Sequence, residues 1–251
     1  MLEVSGVTRR FGAAVAVDGV SLRVATEAIT GLIGPNGAGK TTLFNLVAGS
    51  LRLSAGRIAL DGRDLSRAPP HRRLAAGIGR TFQIPRPFGA MTVLENLLLA
   101  AQRQRGERPF ANWFAARAVA VEERRIAERA FELIAFLDLA RVANRRAAEL
   151  SGGQRKLLEL GRVLMAEPRL ILLDEPAAGV NPTLLETIID HIRALHARGI
   201  GFLIVEHNLD LVARLCACVH VMAQGRLLIS GTPEEVTRDP RVVEAYLGGA
   251  V

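Results

Sequence analysis

One stretch of the sequence constrains the fold more than any other, and it runs from Gly34 to Thr42. It fits the pattern G-x-x-x-x-G-K-[ST] of a phosphate-binding loop. Its residues are Gly34, Pro35, Asn36, Gly37, Ala38, Gly39, Lys40, Thr41 and Thr42. An apolar run at 28–33 precedes the loop, and leucines at helical spacing follow it. A strand, a glycine loop and a helix N-terminus together form an anion site. A plain glycine turn before an ordinary helix is the alternative, and these flanks disfavour it.

The residue types in this stretch suit a phosphate chain. Glycines let successive N–H groups converge on phosphate oxygens, Lys40 supplies a compact positive charge, and the Thr41 hydroxyl can help hold Mg²⁺. Among the 32 Lys and Arg residues, lysine occurs only at Lys40 and Lys156. Because a broad guanidinium fork does not replace an ammonium group in a tight backbone cradle, lysine at position 40 supports the phosphate loop.

Length and composition set wider limits. A chain of 251 residues allows one large domain, or one domain with a subdomain. No run approaches the roughly 18 apolar residues of a membrane span, and the N-terminus lacks the pattern of a signal peptide. We therefore expect no transmembrane segment. The net charge of +7 permits anionic lipid, nucleic acid or acidic partners without selecting one, and 4% aromatic residues disfavour a base-stacking platform.

Two smaller features leave alternatives open. Cys216 and Cys218 could be a metal pair, but free thiols are favoured because no second Cys/His pair at ligand spacing lies near them. The arginine-rich stretch 102–125, which contains Trp113, could contact lipid headgroups or a partner. A solvated helical face is the preferred interpretation of that stretch.

Strands that alternate with helices predict an α/β fold with a mainly parallel sheet flanked by helices. The first residues predict short strands at Leu2–Thr8 and Ser21–Val24, separated by Gly12 and Asp18-Gly19, which would form an antiparallel patch. The stretch 92–165 breaks the alternation and predicts an inserted helical subdomain. We therefore expect one domain over 1–251, with an α/β core formed by 1–91 and 166–251.

Acidic and polar residues follow two of the predicted strands. Asp174 and Glu175 come directly after the apolar run Leu170–Leu173, where one can hold magnesium and the other can polarise a water molecule. His207 follows another apolar strand and could contact a γ-phosphate, although spacing alone favours a structural role for a lone histidine. Phe11 could stack on a nucleotide base or belong to the core.

A second anion site is predicted in the helical stretch. The run at 150–154 reads Leu-Ser-Gly-Gly-Gln and opens a helix, so that free N–H groups, a hydroxyl and small residues meet at one helix N-terminus. Its four candidate ligands are Ser151, Gly152, Gly153 and Gln154.

These motifs in this order resemble the nucleotide-binding subunits of ATP-binding cassette (ABC) transporters, over nearly the whole chain. The resemblance implies the P-loop NTPase core of the ABC-ATPase fold, with ATP and Mg²⁺ as cofactors. It implies that Phe11 stacks on adenine and that Ser151–Gln154 is the signature segment. By the same resemblance Asp174 is the magnesium aspartate, Glu175 the catalytic carboxylate and His207 the switch histidine. Gln83 is then the glutamine that approaches magnesium and water, beside the docking surface for the membrane subunits.

A finer resemblance is to the longer ATPase subunit of branched-chain amino-acid importers. It rests on Arg80–Gln83, the insert around Trp113, the run 177–182 and the tail at 245–249. The ATPases of lipopolysaccharide exporters share the asparagine loop and a similar tail, so a lipid exporter is the alternative. Asn181 departs from the aspartate of many family members, so communication between two ATP sites is the weakest part of the resemblance.

The resemblance also implies partners. Two ATP molecules would lie between two ATPase subunits, identical or different, at the cytoplasmic face of the inner (plasma) membrane. Permease subunits would dock on this pair, and a periplasmic or extracellular solute-binding protein would act indirectly. No nucleic acid is expected, because a soluble ABC ATPase of ribosomes or nucleic acid usually carries a second cassette, a long coiled coil or zinc modules. A regulator without turnover is disfavoured by Glu175 and His207.

Overall fold

The structure is a computed structural model that describes residues 1–81, 86–102, 104–107 and 115–247. Predictions for Gln83 and for Trp113 therefore lie outside the described residues. The chain divides into two compact units. The first combines Met1–Gln83 with Pro168–Val251, and the second is the continuous segment Ile84–Glu167.

The strands of the first unit form two sheets. They are β1 (Leu2–Phe11), β2 (Ala14–Val24), β3 (Ile29–Ile33), β4 (Ala55–Leu60), β5 (Arg63–Asp64), β6 (Ile78–Arg80), β7 (Leu170–Asp174), β8 (Gly201–Val205), β9 (Cys218–Ala223) and β10 (Arg226–Gly231). The first sheet has the order β2-β1-β4-β5 and the second β10-β9-β3-β8-β7-β6.

The first sheet is the predicted antiparallel patch, and one detail of the prediction was wrong. Asp18-Gly19 does not separate two strands, because β2 continues through both residues while its pairing with β1 shifts in register. Gly19 has φ 63°, a left-handed conformation that a residue without Cβ adopts readily. The strand therefore absorbs this residue as an irregularity and stays paired.

The second sheet confirms the prediction of a mainly parallel arrangement. β3 pairs in parallel with both β8 and β9, and β7 pairs in parallel with β8 and β6. Only the β9–β10 hairpin at one edge is antiparallel among the described pairs. Every residue of β3, β7 and β8 is buried, as expected for strands of a parallel sheet that is covered on both faces.

Several helices begin at residues whose side chains accept from one of the first N–H groups. The helices are α1 (Lys40–Ala48), α2 (Pro70–Ala75), α3 (Val93–Ala100), α4 (Ala116–Phe136), α5 (Gly152–Leu164), α6 (Pro182–His196), α7 (Leu209–Leu215), α8 (Pro233–Arg238) and α9 (Pro240–Leu247). Capping boxes are present at Thr92 and Thr232, and Asn181 caps α6 ahead of Pro182. Helices α3, α4 and α5 belong to the second unit.

A buried histidine connects the two sheets of the first unit. His220 on β9 lies 3.0 Å through Nε2 from the carbonyl oxygen of Arg23 and 2.7 Å through Nδ1 from the Ser230 hydroxyl. Because a carbonyl only accepts, Nε2 carries the proton and Nδ1 accepts from Ser230. Burial lowers the pKa of His220, so the neutral ring fits this position.

The two cysteines are free thiols, as favoured by the sequence. Burial raises the pKa of Cys216 to about 12, which leaves an inert thiol in the core. Among the described residues, no group of three or more His, Cys, Asp or Glu side chains is placed to share a metal ion. In the same part of the chain, no helix has the length and apolar character needed to cross a bilayer.

Candidate functional site

Strand register brings the predicted site residues to one edge of the parallel sheet. Leu32 of β3 pairs with Val205 of β8, and Val205 pairs with Asp174 of β7. These three strands therefore end at the same level, about 5 Å apart from one to the next. The phosphate loop (Gly34–Thr42) starts two residues after Leu32. Glu175 directly follows Asp174, and His207 lies two residues after Val205. Ligand sites of α/β sheets lie at such carboxyl ends.

Backbone conformation gives the phosphate loop its shape. Gly34, Gly37 and Gly39 have φ of 146°, 79° and 93°. A Cβ on Gly39 would lie 2.4 Å from the Ala16 carbonyl oxygen, whereas one on Gly37 would meet nothing within 4 Å. Close packing therefore excludes a side chain at Gly39, whereas the need for glycine at Gly37 comes from its left-handed backbone.

Lys40 lies inside the loop that it follows. Its Nζ donates to the carbonyl oxygens of Gly34 at 2.7 Å and Pro35 at 2.8 Å, and the residue is buried. Burial lowers the pKa of Lys40, and the nearby charge of Glu175 acts in the opposite direction. The two carbonyls fix the ammonium group within the cradle, as a charge for phosphate oxygens requires.

Asp174 ends β7 as a buried carboxyl group. Burial raises its pKa, the Arg80 guanidinium lowers it, and the neighbouring acids Glu175 and Glu206 raise it further. Arg80 lies over the Phe44 ring at 4.9 Å and donates to the Ser50 hydroxyl at 2.8 Å. The carboxyl of Asp174 and the hydroxyl of Thr41, which is exposed at the first turn of α1, are the hard oxygen donors that Mg²⁺ prefers, so the donor types fit the ion.

Glu175 and His207 face each other across the ends of β7 and β8. The Oε1 atom of Glu175 lies 3.8 Å from Nδ1 of His207, whose side chain is 63% exposed. Glu175 has φ 47°, which is uncommon for a residue with a side chain and is concentrated at functional sites. Its N–H donates to the Val205 carbonyl at 2.9 Å. The structure thus brings together the acid and the imidazole that the sequence singled out.

Glu206 is a residue of this edge to which the sequence reasoning gave no role. Its side chain is fully buried, and its two oxygens accept from the N–H groups of Ala177, His207 and Asn208. The signal was present, because an acid after the apolar run Phe202–Val205 repeats the pattern that singled out Asp174.

Phe11 ends β1 and is 45% exposed. The Arg9 guanidinium lies 4.5 Å from the centre of its ring, a cation–π contact. The alternative that Phe11 is a core residue is therefore wrong. This exposure is compatible with the predicted stacking on a nucleotide base.

The signature segment (Ser151–Gln154) lies in the second unit. The Ser151 hydroxyl accepts from the Gln154 N–H at 3.2 Å, and the Gln154 side chain accepts from the Ser151 N–H at 3.0 Å. This capping box confirms Ser151 as the N-cap of α5. Gly152 is exposed, and a Cβ there would meet nothing within 4 Å. The phosphate loop, Asp174, Glu175 and His207 meet within the first unit, whereas Gln83 lies outside the described residues.

A phosphate loop beside Asp174 and Glu175, on a parallel sheet, defines the class of phosphate-loop nucleotide-binding proteins. Comparison with known proteins narrows this class. The profile of the ABC transporter family matches residues 17–178, and that of the branched-chain amino acid ATP-binding cassette transporter matches residues 226–251.

Two relatives match the chain over its length. The chain is 42% identical to the probable branched-chain amino acid transport ATP-binding protein LivG of Methanocaldococcus jannaschii, covering 99% of this chain and 97% of the relative. It is 41% identical to the high-affinity branched-chain amino acid transport ATP-binding protein BraF of Pseudomonas aeruginosa, covering 100% and 98%. A lipopolysaccharide export system ATP-binding protein, LptB of Haemophilus influenzae, is 39% identical and covers 92% and 90%.

A solved structure agrees with these matches. The ADP conformation of an ATP-binding cassette from an ABC transporter is 41% identical, with a TM-score of 0.83 over 99% of this chain and 98% of that one. The chain belongs to the ABC transporter family, as one of its ATP-binding cassette ATPases. The predicted fold and activity class are thereby confirmed.

Proposed function

We propose that this chain is the ATP-hydrolysing subunit of a transporter that imports branched-chain or other hydrophobic amino acids. The observation that carries the ATPase mechanism is the meeting of the phosphate loop, Asp174, Glu175 and His207 at one sheet edge. The substrate class is supported by the match at residues 226–251 and by the two full-length relatives named for branched-chain amino acid transport.

The residues of this edge divide the chemistry between them. Gly34–Thr42 cradles the phosphates, with Lys40 at the β- and γ-phosphates. Thr41, Asp174 and Gln83 would hold Mg²⁺, and the ion would supply positive charge against the phosphate oxygens. Glu175 polarises the attacking water, and His207, 3.8 Å from it, contacts the γ-phosphate. Phe11 stacks on adenine.

The signature segment completes the site of a second ATPase subunit. α5 presents a helix N-terminus whose partial positive charge suits a γ-phosphate, and Gly152 leaves space for close approach. ATP then closes two subunits on each other, and hydrolysis at Glu175 reopens them. In this proposal the two units of the chain form one nucleotide-binding domain, with 92–165 as its helical subdomain.

The motion is passed to permease subunits near Gln83, so the chain works at the cytoplasmic face of the inner membrane. A solute-binding protein delivers the amino acid to the permease from the other side. A lipid exporter is the second candidate, since the chain is 39% identical to LptB. The match at 226–251 favours the importer over this candidate.

Reconstitution with the permease that copurifies in detergent tests the proposal. We expect magnesium-dependent ATP hydrolysis that is lost with EDTA, and uptake of radiolabelled leucine or another hydrophobic amino acid when the solute-binding protein is added. Lipid extraction from the bilayer without amino-acid uptake would support the second candidate. The absence of hydrolysis in the assembled complex would contradict the ATPase mechanism itself.

A further inference from the structure

Glu206 connects the two segments that carry Glu175 and His207. Its Oε1 atom accepts from the N–H of Ala177 at 2.9 Å, two residues after Glu175. Its Oε2 atom accepts from the N–H groups of His207 at 3.1 Å and Asn208 at 3.2 Å. Each oxygen of one side chain therefore holds a different segment.

The position of Glu206 makes these bonds effective restraints. The side chain has no solvent exposure, so water does not compete for its oxygens. The three hydrogen bonds themselves are partly buried, and an N–H group that loses its acceptor at such a site costs free energy. Both segments are therefore tied to the one carboxyl group. The backbone of Glu206 is itself bound to the sheet, since its N–H donates to the Leu32 carbonyl of β3 at 3.3 Å.

The segment after Glu175 needs such a restraint. Glu175 has φ 47°, and a left-handed conformation at a residue with a side chain persists only where its surroundings impose it. The Val205 carbonyl holds the Glu175 N–H at 2.9 Å, and Glu206 holds the chain two residues further on. These two neighbours on β8 and at its end therefore fix the direction in which the Glu175 side chain leaves the strand.

We propose that Glu206 is a positioning residue that sets the spacing between the Glu175 carboxyl group and the His207 imidazole. It does not contact the nucleotide. It acts through the backbone N–H groups of Ala177, His207 and Asn208. By holding them, it keeps the side chains of Glu175 and His207 at positions where both can act on the same γ-phosphate. The inference rests on the proposed roles of Glu175 and His207 in ATP hydrolysis.

The test is Glu206→Gln in the full-length chain. Gln preserves the shape of the side chain, but its amide nitrogen does not accept a hydrogen bond, so at least one held segment loses its acceptor. Because misplacement by about 1 Å can cost up to 10²-fold in rate, we expect kcat to fall about 30-fold. The phosphate loop is untouched, so KM for ATP should stay within about twofold.

Two further variants separate positioning from loss of stability. Glu206→Asp keeps the accepting group with a shorter reach, and its kcat should lie between wild type and Glu206→Gln. Val236→Ala truncates a fully buried residue of α8 away from this edge. It should lower Tm and leave kcat unchanged. A fall in kcat that merely follows Tm across these variants would overturn the proposal.

A double-mutant cycle tests the route of the effect. Because the Ala177 bond also holds the Glu175 segment, Glu206→Gln should still lower kcat in a His207→Ala background, but by clearly less than the roughly 30-fold expected when His207 is present. A full and independent 30-fold loss there would contradict the proposal. Glu175→Gln serves as the reference: wild-type turnover in that variant defeats the proposed function. A dead Glu175→Gln beside a fully active Glu206→Gln defeats only the positioning role.

Discussion

Two helices of this chain begin at residues proposed to contact ATP, and they begin in opposite ways. α1 starts after Gly39, which offers no side-chain cap, and the loop before it is shaped by left-handed glycines. α5 starts at Ser151 with a closed capping box. The first N-terminus is built from backbone and presents its N–H groups to a ligand. At the second, the N–H groups of Ser151 and Gln154 are bonded to side chains of the capping box.

This difference indicates that the two helix N-termini have different roles in the proposed ATP site. The first unit carries the phosphate loop together with Asp174, Glu175 and His207, so the proposed function assigns nucleotide binding to this unit. The signature segment has a cap that keeps α5 stable without a ligand, and we expect its hydroxyl to act on phosphate only when a second subunit closes. Variants at the two helix starts should therefore affect different steps.

The largest effect is expected from Glu175→Gln, which should leave ATP bound and lower turnover about 1,000-fold, because the group that polarises water is lost. Single-turnover hydrolysis with labelled ATP measures it. Glu167→Gln is the matched control, since Glu167 also has a left-handed backbone, with φ 50°, and lies outside the site. Hydrolysis by Glu175→Gln at the wild-type rate would show that another group activates water.

Lys40→Ala should weaken nucleotide binding by the single chain about 100-fold, or about 3 kcal/mol, because a buried charge–phosphate contact is removed. Titration calorimetry with ATP measures the loss. Lys156→Ala removes the other lysine of the sequence and should bind ATP normally. Tight binding by Lys40→Ala would mean that the cradle described for Gly34–Thr42 is not the phosphate site.

Ser151→Ala should show most clearly that the N-termini of α1 and α5 have different roles. We expect unchanged ATP affinity for the single chain, about tenfold slower turnover, and a loss of about 1 kcal/mol in stability from the missing cap. Thr232→Ala removes the same hydroxyl from the capping box of α8 and should cost similar stability without slowing turnover. If both variants hydrolyse ATP equally fast, Ser151 has only a structural role.

Asn181→Asp should have the smallest effect. Asn181 accepts from the Leu184 N–H at 2.8 Å, and Asp caps a helix about as well as Asn, so stability should change by less than about 0.5 kcal/mol. It restores the charge that many family members carry there. Turnover should stay within about twofold at saturating ATP, and a much larger change would show that this position couples the two ATP sites.

The sequence predicted the local features of the fold because each has a local cause. Ser151 is followed three residues later by Gln154, and that spacing is typical of a capping box at the start of a helix. The apolar run before Asp174 predicted a buried strand for the same kind of reason. The prediction that Asp18-Gly19 separates two strands was wrong for a reason that is not local. In the sequence, a glycine that ends a strand cannot be told from a glycine within a strand, because the difference lies in the pairing with the neighbouring strand.

What the sequence could not supply depends on contacts between distant segments. The bond from Glu206 to the Ala177 amide joins residues 29 positions apart and follows from the pairing of β7 with β8. The contact of Lys40 with two loop carbonyls requires the folded loop. Likewise, the sequence could not assign Phe11 to the surface or the core. Two arginines precede it and Gly12 and Ala13 follow it, so its neighbours do not indicate burial, and its exposure depends on where β1 ends.

The most direct test of the account is the structure of Glu175→Gln with ATP and magnesium, in the assembled transporter. We predict that the Ser151 hydroxyl of one ATPase subunit lies about 3 Å from the γ-phosphate bound at Lys40 of the other. A closed complex in which Ser151 lies far from every γ-phosphate would contradict the division of the site between two subunits.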